Sequence, residues 1–487
     1  MTGVLVCQTV TAPNMAELRR RRDAAGRADL VELRLDGVAD VDVAGALADR
    51  RAPVVVTCRP AWDGGRYDGS EETRLAWLAE AARLGAEYVD VEHEADWQAV
   101  GRSERTGLVL SFHDWHGVPA DLSDRVRAMR NVQPAVTKVA VTATRLADCV
   151  ALRRACAGDE ATVAIAMGER GQVTRTCPWL FNSRWTYAGH AAPGQLSTAV
   201  LLDRYRVRSG TADRAVYGVA GRPVSHSASP AMHNAAFAAA GLDAVYVAFD
   251  GRSAEDVDEL ASALGVQGLS VTAPFKQELF ARAANADDRT RALGAANTLR
   301  WNGTRWDARN FDVDGFLEPL DKRGIRLDGE RAVVLGAGGA ARAVVLALRE
   351  RGARVAVAAR RAEQAGTLAA RFGVGVEAWP PRTGWRLLVN ATPVGTWPRH
   401  DESPIDAGHL SGPLVYDLVY NPPETTLMRL ARARGAEAVG GLDMLVRQAC
   451  LQFEWWTGRP APHEVIAQAA FEYVTGEVRA THEADDV

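Results

Sequence analysis

Residues 4–190 repeat one unit, a short apolar run followed by an Ala-, Arg- and Leu-rich stretch of helical character. The runs are VLVCQTV, ADLVELRLD, PVVVTCR, YVDVE, GLVLSFHD, AVTKVAV, TVAIAMGE and WTYAGH. Strands joined through helices pair in parallel, and about eight such units in roughly 200 residues form the pattern of a (β/α)8 barrel. In that fold the side chains that carry chemistry gather at the C-terminal ends of the strands. Glu32, Arg34, Arg59, Glu92, His113 and Lys138 all lie toward the C-terminal halves of their runs, and Arg175 and Gln195 fall in the loops after the seventh and eighth.

The basic residues narrow the chemistry. Of 57 Lys and Arg, only Lys138, Lys276 and Lys322 are lysines. In so Arg-biased a chain, a lysine inside an apolar segment points to a need for an amine, which can lose its proton and act as nucleophile or general acid as a guanidinium cannot. Lys322, in the polar loop DKRG, reads as a solvated charge. Lys138 in AVTKVAV and Lys276 in SVTAPFKQ sit among β-branched and apolar residues, where burial favours the neutral amine. Such an amine attacks a ketone to give an iminium that acidifies the adjacent carbon. His113, with Asp114 beside it, can then move the proton, and the arginines provide for a carboxylate substrate.

After the polar, Arg-rich link DRYRVRSGTADR (203–214) a second α/β pattern begins at AVYGVAG, so two modules are expected. ERAVVLGAGGAARAVVLAL runs an apolar strand into Gly336-x-Gly338-x-x-Ala341 and then a helix, and ARVAVAAR supplies the next strand. With strand and helix both present, the glycines read as the tight turn that seats a pyrophosphate on a helix N-terminus. The acidic residue that would hold a ribose hydroxyl after the second strand is absent. Arg360 and Arg361 stand there instead, and guanidinium suits a 2′-phosphate, so NADP is the expected cofactor. SHSASP offers hydroxyls for a carboxylate, or the cap of a helix with proline in its first turn. Lys276 and Asp312 are placed to pair across a cleft, and the helical pattern GLDMLVRQACLQFEWWTG is expected to pack back on the substrate-binding half.

Charge and cysteine usage exclude other classes. A net charge of -4 and a pI of about 6.2 give no basic field for a polyanion, and the run Arg19 to Arg22 reads as the polar face of a first helix. No stretch approaches the roughly 20 apolar residues of a membrane span, and MTGVLVCQTV has neither a charged n-region nor a cleavage site. A cytoplasmic protein with small-molecule partners, and neither nucleic acid nor membrane, is expected. Cys7, Cys58, Cys149, Cys156, Cys177 and Cys450 are scattered singly, without metal-ligand spacing, and read as buried reduced thiols with no metal.

The segments ADLVELRLD, VVVTCRP, YVDVE, SFHDW, VTKVAV, MGERGQVTR and APGQ, in that order, resemble the type I 3-dehydroquinate dehydratases over essentially all of residues 1 to about 205. The resemblance implies that Lys138 forms a Schiff base with the C3 ketone of 3-dehydroquinate and that His113 takes the C2 proton and helps the C1 hydroxyl depart. It further implies that Glu32, Arg34, Arg59, Arg175 and Gln195 hold the substrate. Two positions depart from the usual pattern: Asp63, where glutamate is common, and Ala191, where a substrate-contacting serine is frequent.

Residues 215 to about 475 are similar to shikimate dehydrogenases through GRPVSHSASPAMHN, GLSVTAPFKQ, GAANTL, NFDVDG, GAGGAAR, NATPVG, DLVYNPPET and GLDMLVRQA. This implies Ser227 and Ser229 on the substrate carboxylate, Lys276 and Asp312 in proton transfer, and Thr272, Asn297 and Gln448 on ring hydroxyls. Gly336, Gly338, Gly339, Ala340, Ala341, Arg360, Arg361 and Thr392 would bind NADP, with Tyr420 and Gly441 beside the nicotinamide. Phe311 stands where threonine is usual and is expected to narrow the cleft near Asp312, and Ala359 replaces an asparagine common beside the adenine ribose.

The order of modules resembles the bifunctional enzymes of plants, in which the product of the first step is the substrate of the second. The expected boundaries are 1–207 for the barrel, 214–318 for the substrate-binding lobe, 319–440 for the NADP-binding Rossmann lobe, 441–475 for C-terminal helices packed on the substrate lobe, and 476–487 for a disordered tail. The alternatives are a dehydratase fused to a quinate dehydrogenase, or a non-catalytic metabolite-sensing regulator. Retention of Lys138, His113, Lys276 and Asp312 argues against the regulator.

Arg360 and Arg361 generate a first prediction. A charge-assisted contact to a 2′-phosphate contributes roughly 1.5 to 3 kcal/mol, so catalytic efficiency with NADPH should exceed that with NADH by at least about tenfold. Initial rates over a concentration series of each cofactor test this, and equal efficiencies would refute it.

Overall fold

The computed structural model describes residues 3–101, 104–158 and 161–485. The chain divides into two compact units, Met1–Ala215 with Val247–Gly265, and Val216–Tyr246 with Val266–Val487.

Eight parallel strands build the first unit: β1 (Leu5–Thr11), β2 (Leu30–Arg34), β3 (Val54–Thr57), β4 (Tyr88–Glu92), β5 (Gly107–Asp114), β6 (Val136–Thr142), β7 (Thr162–Met167) and β8 (Trp185–Ala188). Neighbours pair in chain order from β1 to β7, and β8 returns to β1. The gap between β7 and β8 is spanned by a parallel bridge between Thr162 and Ser183, with the Arg184 N–H donating to the Thr162 carbonyl. The barrel is thus nearly closed.

Alternation along each strand decides what faces inward. On β4, Val89 and Val91 join Val31, Leu33, Val54 and Val56 against the surrounding helices. Tyr88 turns the other way, onto an interior floor of Cys7, Leu30, Val55, Val109, Val136, Val163 and Trp185. Two residues further along those inward faces come Glu32, Thr57, Asp90, Ser111 and Lys138, all buried. A polar layer therefore sits on an apolar floor, at the C-terminal side of the barrel.

Three features differ from the sequence expectation. Among the described residues of the β4–β5 link, the helix is reduced to one turn, Trp97–Val100, ended by Gly101 in the left-handed region at φ 76°. Arg22 leaves the exposed face of helix Met15–Ala24: it is buried and donates to the carbonyls of Ala46 and Ala48. Residues 247–265, expected in the substrate-binding lobe, belong to the first unit, where the buried Asp256 carboxylate accepts the N–H groups of Leu146 and Ala147.

Two further sheets lie in the second unit, apart from Ala215 and residues 247–250 of one of them, which belong to the first unit. One has the order β10-β9-β11-β13-β14-β12, from β9 (Ala215–Gly221), β10 (Ala244–Asp250), β11 (Gly268–Val271), β12 (Asn285–Ala286), β13 (Thr298–Trp301) and β14 (Trp306–Arg309), with β13 antiparallel to both neighbours. The other is wholly parallel, in the order β17-β16-β15-β18-β19-β20, from β15 (Arg331–Leu335), β16 (Arg354–Ala358), β17 (Gly375–Glu377), β18 (Leu387–Asn390), β19 (Leu414–Asp417) and β20 (Glu437–Val439). Strand order reverses between β15 and β18, which opens a crevice at their C-terminal ends. The glycine turn after β15 lies at this switch point.

The boundary expected between 318 and 319 falls inside the helix Asp312–Lys322, which is continuous because its apolar face, Val313, Phe316, Leu317 and Leu320, is buried along its whole length. The helix Gly441–Thr457 meets the first sheet, Trp456 Nε1 donating to the Leu299 carbonyl on β13. The last helix runs His463–Asp485, so residues 476–485 of the expected disordered tail are helical in backbone. Propagating an anchored helix adds one hydrogen bond per residue fixed, whereas starting one is costly. Residues 486 and 487 lie outside the described residues.

Candidate active sites

Glu32, Arg34, Arg59, His113, Lys138, Arg175 and Gln195 line one cavity of about 80 Å³ in the barrel, with Ala191 at its rim. Glu92 is the exception. It lies behind Arg59 and Arg74, and burial pushes its carboxyl up against those two cations.

Arg59, at the end of β3, is 3% exposed and is occupied by carboxylates. It reaches Asp63 at 3.1 Å, Glu92 at 2.6 Å and Asp90 at 2.8 Å, and donates to Ser111 Oγ at 2.9 Å. Asp90 is the group that sequence reasoning missed. Its second oxygen accepts from Lys138 Nζ at 2.7 Å, while Glu32 lies 3.5 Å from the same amine and the Tyr187 ring centroid lies 4.7 Å away. Burial would raise the Asp90 carboxyl, but Arg59, Lys138 and His113 outweigh it and hold the group well below the usual carboxylate range. The signal was available, since Asp90 shares Glu92's strand face by period two.

His113 is oriented by Asp63, not by the adjacent Asp114. Asp63 Oδ2 meets His113 Nδ1 at 2.8 Å, whereas the Asp114 carboxylate caps the next turn through the N–H groups of His116 and Gly117. An acceptor at Nδ1 places the proton there and leaves Nε2 free to accept one. Burial, helped by the Arg59 charge and opposed by Asp63, pushes the imidazole down to about 4. Trp115 covers this corner, its Nε1 donating to the Asp63 carbonyl.

The two remaining polar groups differ in availability. Arg175 is buried with no carboxylate partner among the described residues, its Nε is unpaired, and burial pushes it down to about 10. Gln195 spends its Oε1 on the N–H groups of Ala191 and Ala192, and so shapes its own loop.

In the second unit, Ser227, Ser229, Thr272, Lys276, Asn297, Asp312 and Gln448 line a cavity of about 370 Å³, together with Ala340, Tyr420 and Gly441. Lys276 Nζ donates to Asp312 Oδ2 at 2.5 Å. Asn297 joins the parts: its Nδ2 donates to Asp312 at 2.8 Å and Gln448 at 3.0 Å, and its Oδ1 accepts from the Phe311 N–H and the Thr298 hydroxyl. Gln452, also missed from sequence, lies below, donating to Thr298 and accepting from Ser270. At the start of the helix Ser229–Ala239, Ala228 is the N-cap residue and Pro230 lies in the first turn, while Ser227 Oγ accepts from the Ser229 N–H at 3.3 Å.

A second cavity, of about 500 Å³, opens at the switch point and is lined by Gly336, Gly338, Arg360, Arg361 and Thr392. Arg342, which sequence reasoning missed, lines it too. The guanidinium groups of Arg342, Arg360 and Arg361 have no partner among the described residues, so the cavity presents unpaired cations beside an open glycine turn and fits a dinucleotide with an added phosphate. Two expected cofactor residues lie elsewhere. Ala341 is fully buried in the helix–sheet core, and Gly339 faces the stem of Lys276.

A family model described as Type I 3-dehydroquinase matches residues 6–212, one described as Shikimate dehydrogenase substrate binding domain matches 219–299, and one described as Shikimate 5'-dehydrogenase C-terminal domain matches 441–471. The chain is 32% identical over 511 residues to the chloroplastic bifunctional 3-dehydroquinate dehydratase/shikimate dehydrogenase of Arabidopsis thaliana, covering 96% of this chain and 84% of that one. It is 42% identical over 280 residues to the NADP(+) shikimate dehydrogenase of Symbiobacterium thermophilum, covering 54% of this chain and 95% of that one. Among solved structures, shikimate 5-dehydrogenase of Thermus thermophilus in complex with NADP(H) and shikimate superposes with a TM-score of 0.50 at 37% identity, over 53% of this chain and 99% of that one.

Phe311 does not narrow the cleft. Its ring packs edge-on against Trp455, 5.9 Å between centroids, and only its backbone N–H serves the site, through Asn297. Phe311→Thr should therefore leave the Michaelis constant of the substrate in that cleft within about twofold of wild type while destabilising the unit by about 2 to 4 kcal/mol, as for other losses of a buried aromatic ring. Calorimetry of the full chain and steady-state kinetics check both parts.

Proposed function

The chain belongs to the bifunctional 3-dehydroquinate dehydratase/shikimate dehydrogenase family, and from that premise we propose how its residues divide the two reactions. The protein dehydrates 3-dehydroquinate to 3-dehydroshikimate in the barrel and reduces that product to shikimate with NADPH in the second unit. The observation that carries the assignment is the presence of two separate lysine–carboxylate pairs, Lys138–Asp90 and Lys276–Asp312, whose lysines each border a cavity, the first of them also lined by Arg175, which has no carboxylate partner among the described residues.

In the barrel, Arg175 takes the substrate carboxylate, which supplies the counter-charge that the buried guanidinium lacks. The Lys138 amine attacks the C3 carbonyl, and loss of water gives an iminium. Electron withdrawal by the iminium acidifies C2, whose proton passes to the free nitrogen of His113. The same imidazole then returns a proton to the C1 hydroxyl, which leaves as water. Hydrolysis of the iminium releases 3-dehydroshikimate and restores the amine. Asp63 holds the imidazole, and Glu32 holds ring hydroxyls beside the lysine.

In the second unit, Ser227 and Ser229 bind the carboxylate, and Asn297, Gln448 and Thr272 bind the ring hydroxyls. Lys276, held by Asp312, gives a proton to the carbonyl oxygen. NADPH, when bound across the glycine turn, supplies the hydride. Arg342, Arg360 and Arg361 would hold its 2′-phosphate, and Tyr420 and Gly441 would border the nicotinamide. The assignment includes a cytoplasmic location, supported by six buried free cysteines, with neither nucleic acid nor membrane as partner. Among the described residues no helix is long and apolar enough to cross a membrane.

His113 must be neutral to accept the C2 proton. With its imidazole held at about 4, the acid limb of kcat/KM for dehydration should fall nearer pH 4 than the 6.5 of an ordinary histidine, activity being lost as pH drops through that value. A pH–rate profile with a midpoint near 6.5 would contradict this.

The division of labour is tested on the lysines. Borohydride with 3-dehydroshikimate should attach one ligand at the peptide containing Lys138 and none at Lys276. Lys138→Arg keeps the charge but cannot form the imine, so it should abolish dehydration and leave NADP-dependent shikimate oxidation intact. Lys276→Ala should do the reverse, slowing hydride transfer roughly 100- to 10,000-fold. Trapping at Lys276, or wild-type dehydration by Lys138→Arg, would overturn the mechanism.

A further inference from the structure

The glycine turn after β15 contains three glycines, and the structure gives each a different reason. Gly336 has φ 107°, and a Cβ there would come within 2.9 Å of the Ala391 carbonyl oxygen, so the turn itself requires glycine. At Gly338 a Cβ would meet no protein atom within 4 Å, and the residue borders the 500 Å³ cavity. Gly339 lines neither cavity. A Cβ on it would lie 3.1 Å from Cδ of Lys276 and 3.9 Å from that side chain's Cβ and Cγ.

Lys276 stands at the meeting of the two cavities. It borders the 370 Å³ cavity, while its neighbour Gln277 borders the 500 Å³ one. Its stem therefore runs over the start of helix Gly339–Glu350, on the way to the 2.5 Å contact with Asp312. A contact of 3.1 Å between aliphatic carbons is inside van der Waals separation, so a methyl group at 339 would push the stem by a few tenths of an ångström. Nζ lies three bonds beyond Cγ and is fixed only by Asp312, and displacement of a proton donor from its acceptor slows transfer steeply with distance.

We propose that Gly339 is a positioning residue for Lys276: the absence of a side chain at the third glycine of the cofactor turn makes room for the lysine that protonates the substrate carbonyl. The cofactor turn thereby sets the position of the proton donor as well as that of the pyrophosphate. The inference rests on the assignment of proton transfer to Lys276. Backbone conformation does not require glycine here, because Gly339 has no left-handed φ and opens a helix in which alanine is favoured.

The experiment compares Gly339→Ala with Gly338→Ala and Lys276→Ala in the full chain, measuring kcat and KM for 3-dehydroshikimate reduction and the Kd of NADPH from its fluorescence. Gly339→Ala should lower kcat about tenfold while leaving the NADPH Kd within about twofold, which also shows that the unit is folded. Gly338→Ala, whose methyl enters the cofactor cavity, should instead raise the NADPH KM and Kd about tenfold. An unchanged kcat in Gly339→Ala, or loss of NADPH binding matching that of Gly338→Ala, overturns the inference. Lys276→Ala separates the two failures: if it turns over normally, the role of Lys276 is wrong, and if it is slow while Gly339→Ala is normal, only the role of Gly339 is.

Discussion

The barrel site depends on a buried charge network centred on Arg59. One guanidinium, 3% exposed, is shared by Asp63, Asp90 and Glu92, and Asp90 in turn holds Lys138. Taking such ions out of water costs several kcal/mol each, and the loss is offset only when every member is paired with good geometry. Completeness thus dictates position. Asp63 has to reach Arg59, and the same oxygen then meets His113, so the base is aimed by the requirement that keeps the guanidinium satisfied. Arg175 lines the same cavity outside this network, buried and without a carboxylate partner among the described residues.

The second unit solves the same problem with a neutral side chain. All hydrogen-bonding positions of the Asn297 amide are engaged: two donors toward Asp312 and Gln448, and an oxygen accepting from Thr298 and the Phe311 backbone. An amide so saturated cannot flip without losing several bonds. It therefore transmits the order of the sheet to the Lys276–Asp312 pair. The two sites differ in volume as well. The barrel cavity is about 80 Å³, whereas the cavities of the second unit are about 370 and 500 Å³, several times larger and with room for a dinucleotide.

Much of the architecture was legible in the chain. Short apolar runs alternating with helical segments implied the barrel, the strand–glycine turn–helix implied the Rossmann lobe, and the scarcity of lysine singled out Lys138 and Lys276. Less legible were partners distant in sequence. Asp114 looked like the companion of His113 because it is adjacent, yet neighbouring strand residues face opposite sides, and a loop residue 50 positions earlier does the work. Phe311 looked like a cleft residue because its neighbour Asp312 is one, and it turns to Trp455 instead.

What the sequence alone determined were the residue types and their local geometry: which strands exist, which face each side chain takes, and where glycine permits a turn. Those follow from backbone sterics and periodicity, which act within a few residues. What only the tertiary structure decided was which charges share a partner and which glycine faces what. The pairing of Asp90 with Lys138, that of Asp63 with His113, and the closeness of Gly339 to the Lys276 stem all join segments tens of residues apart. Such contacts arise from the packing of whole elements and from the cost of leaving a buried charge alone, and neither leaves a periodic trace in the chain.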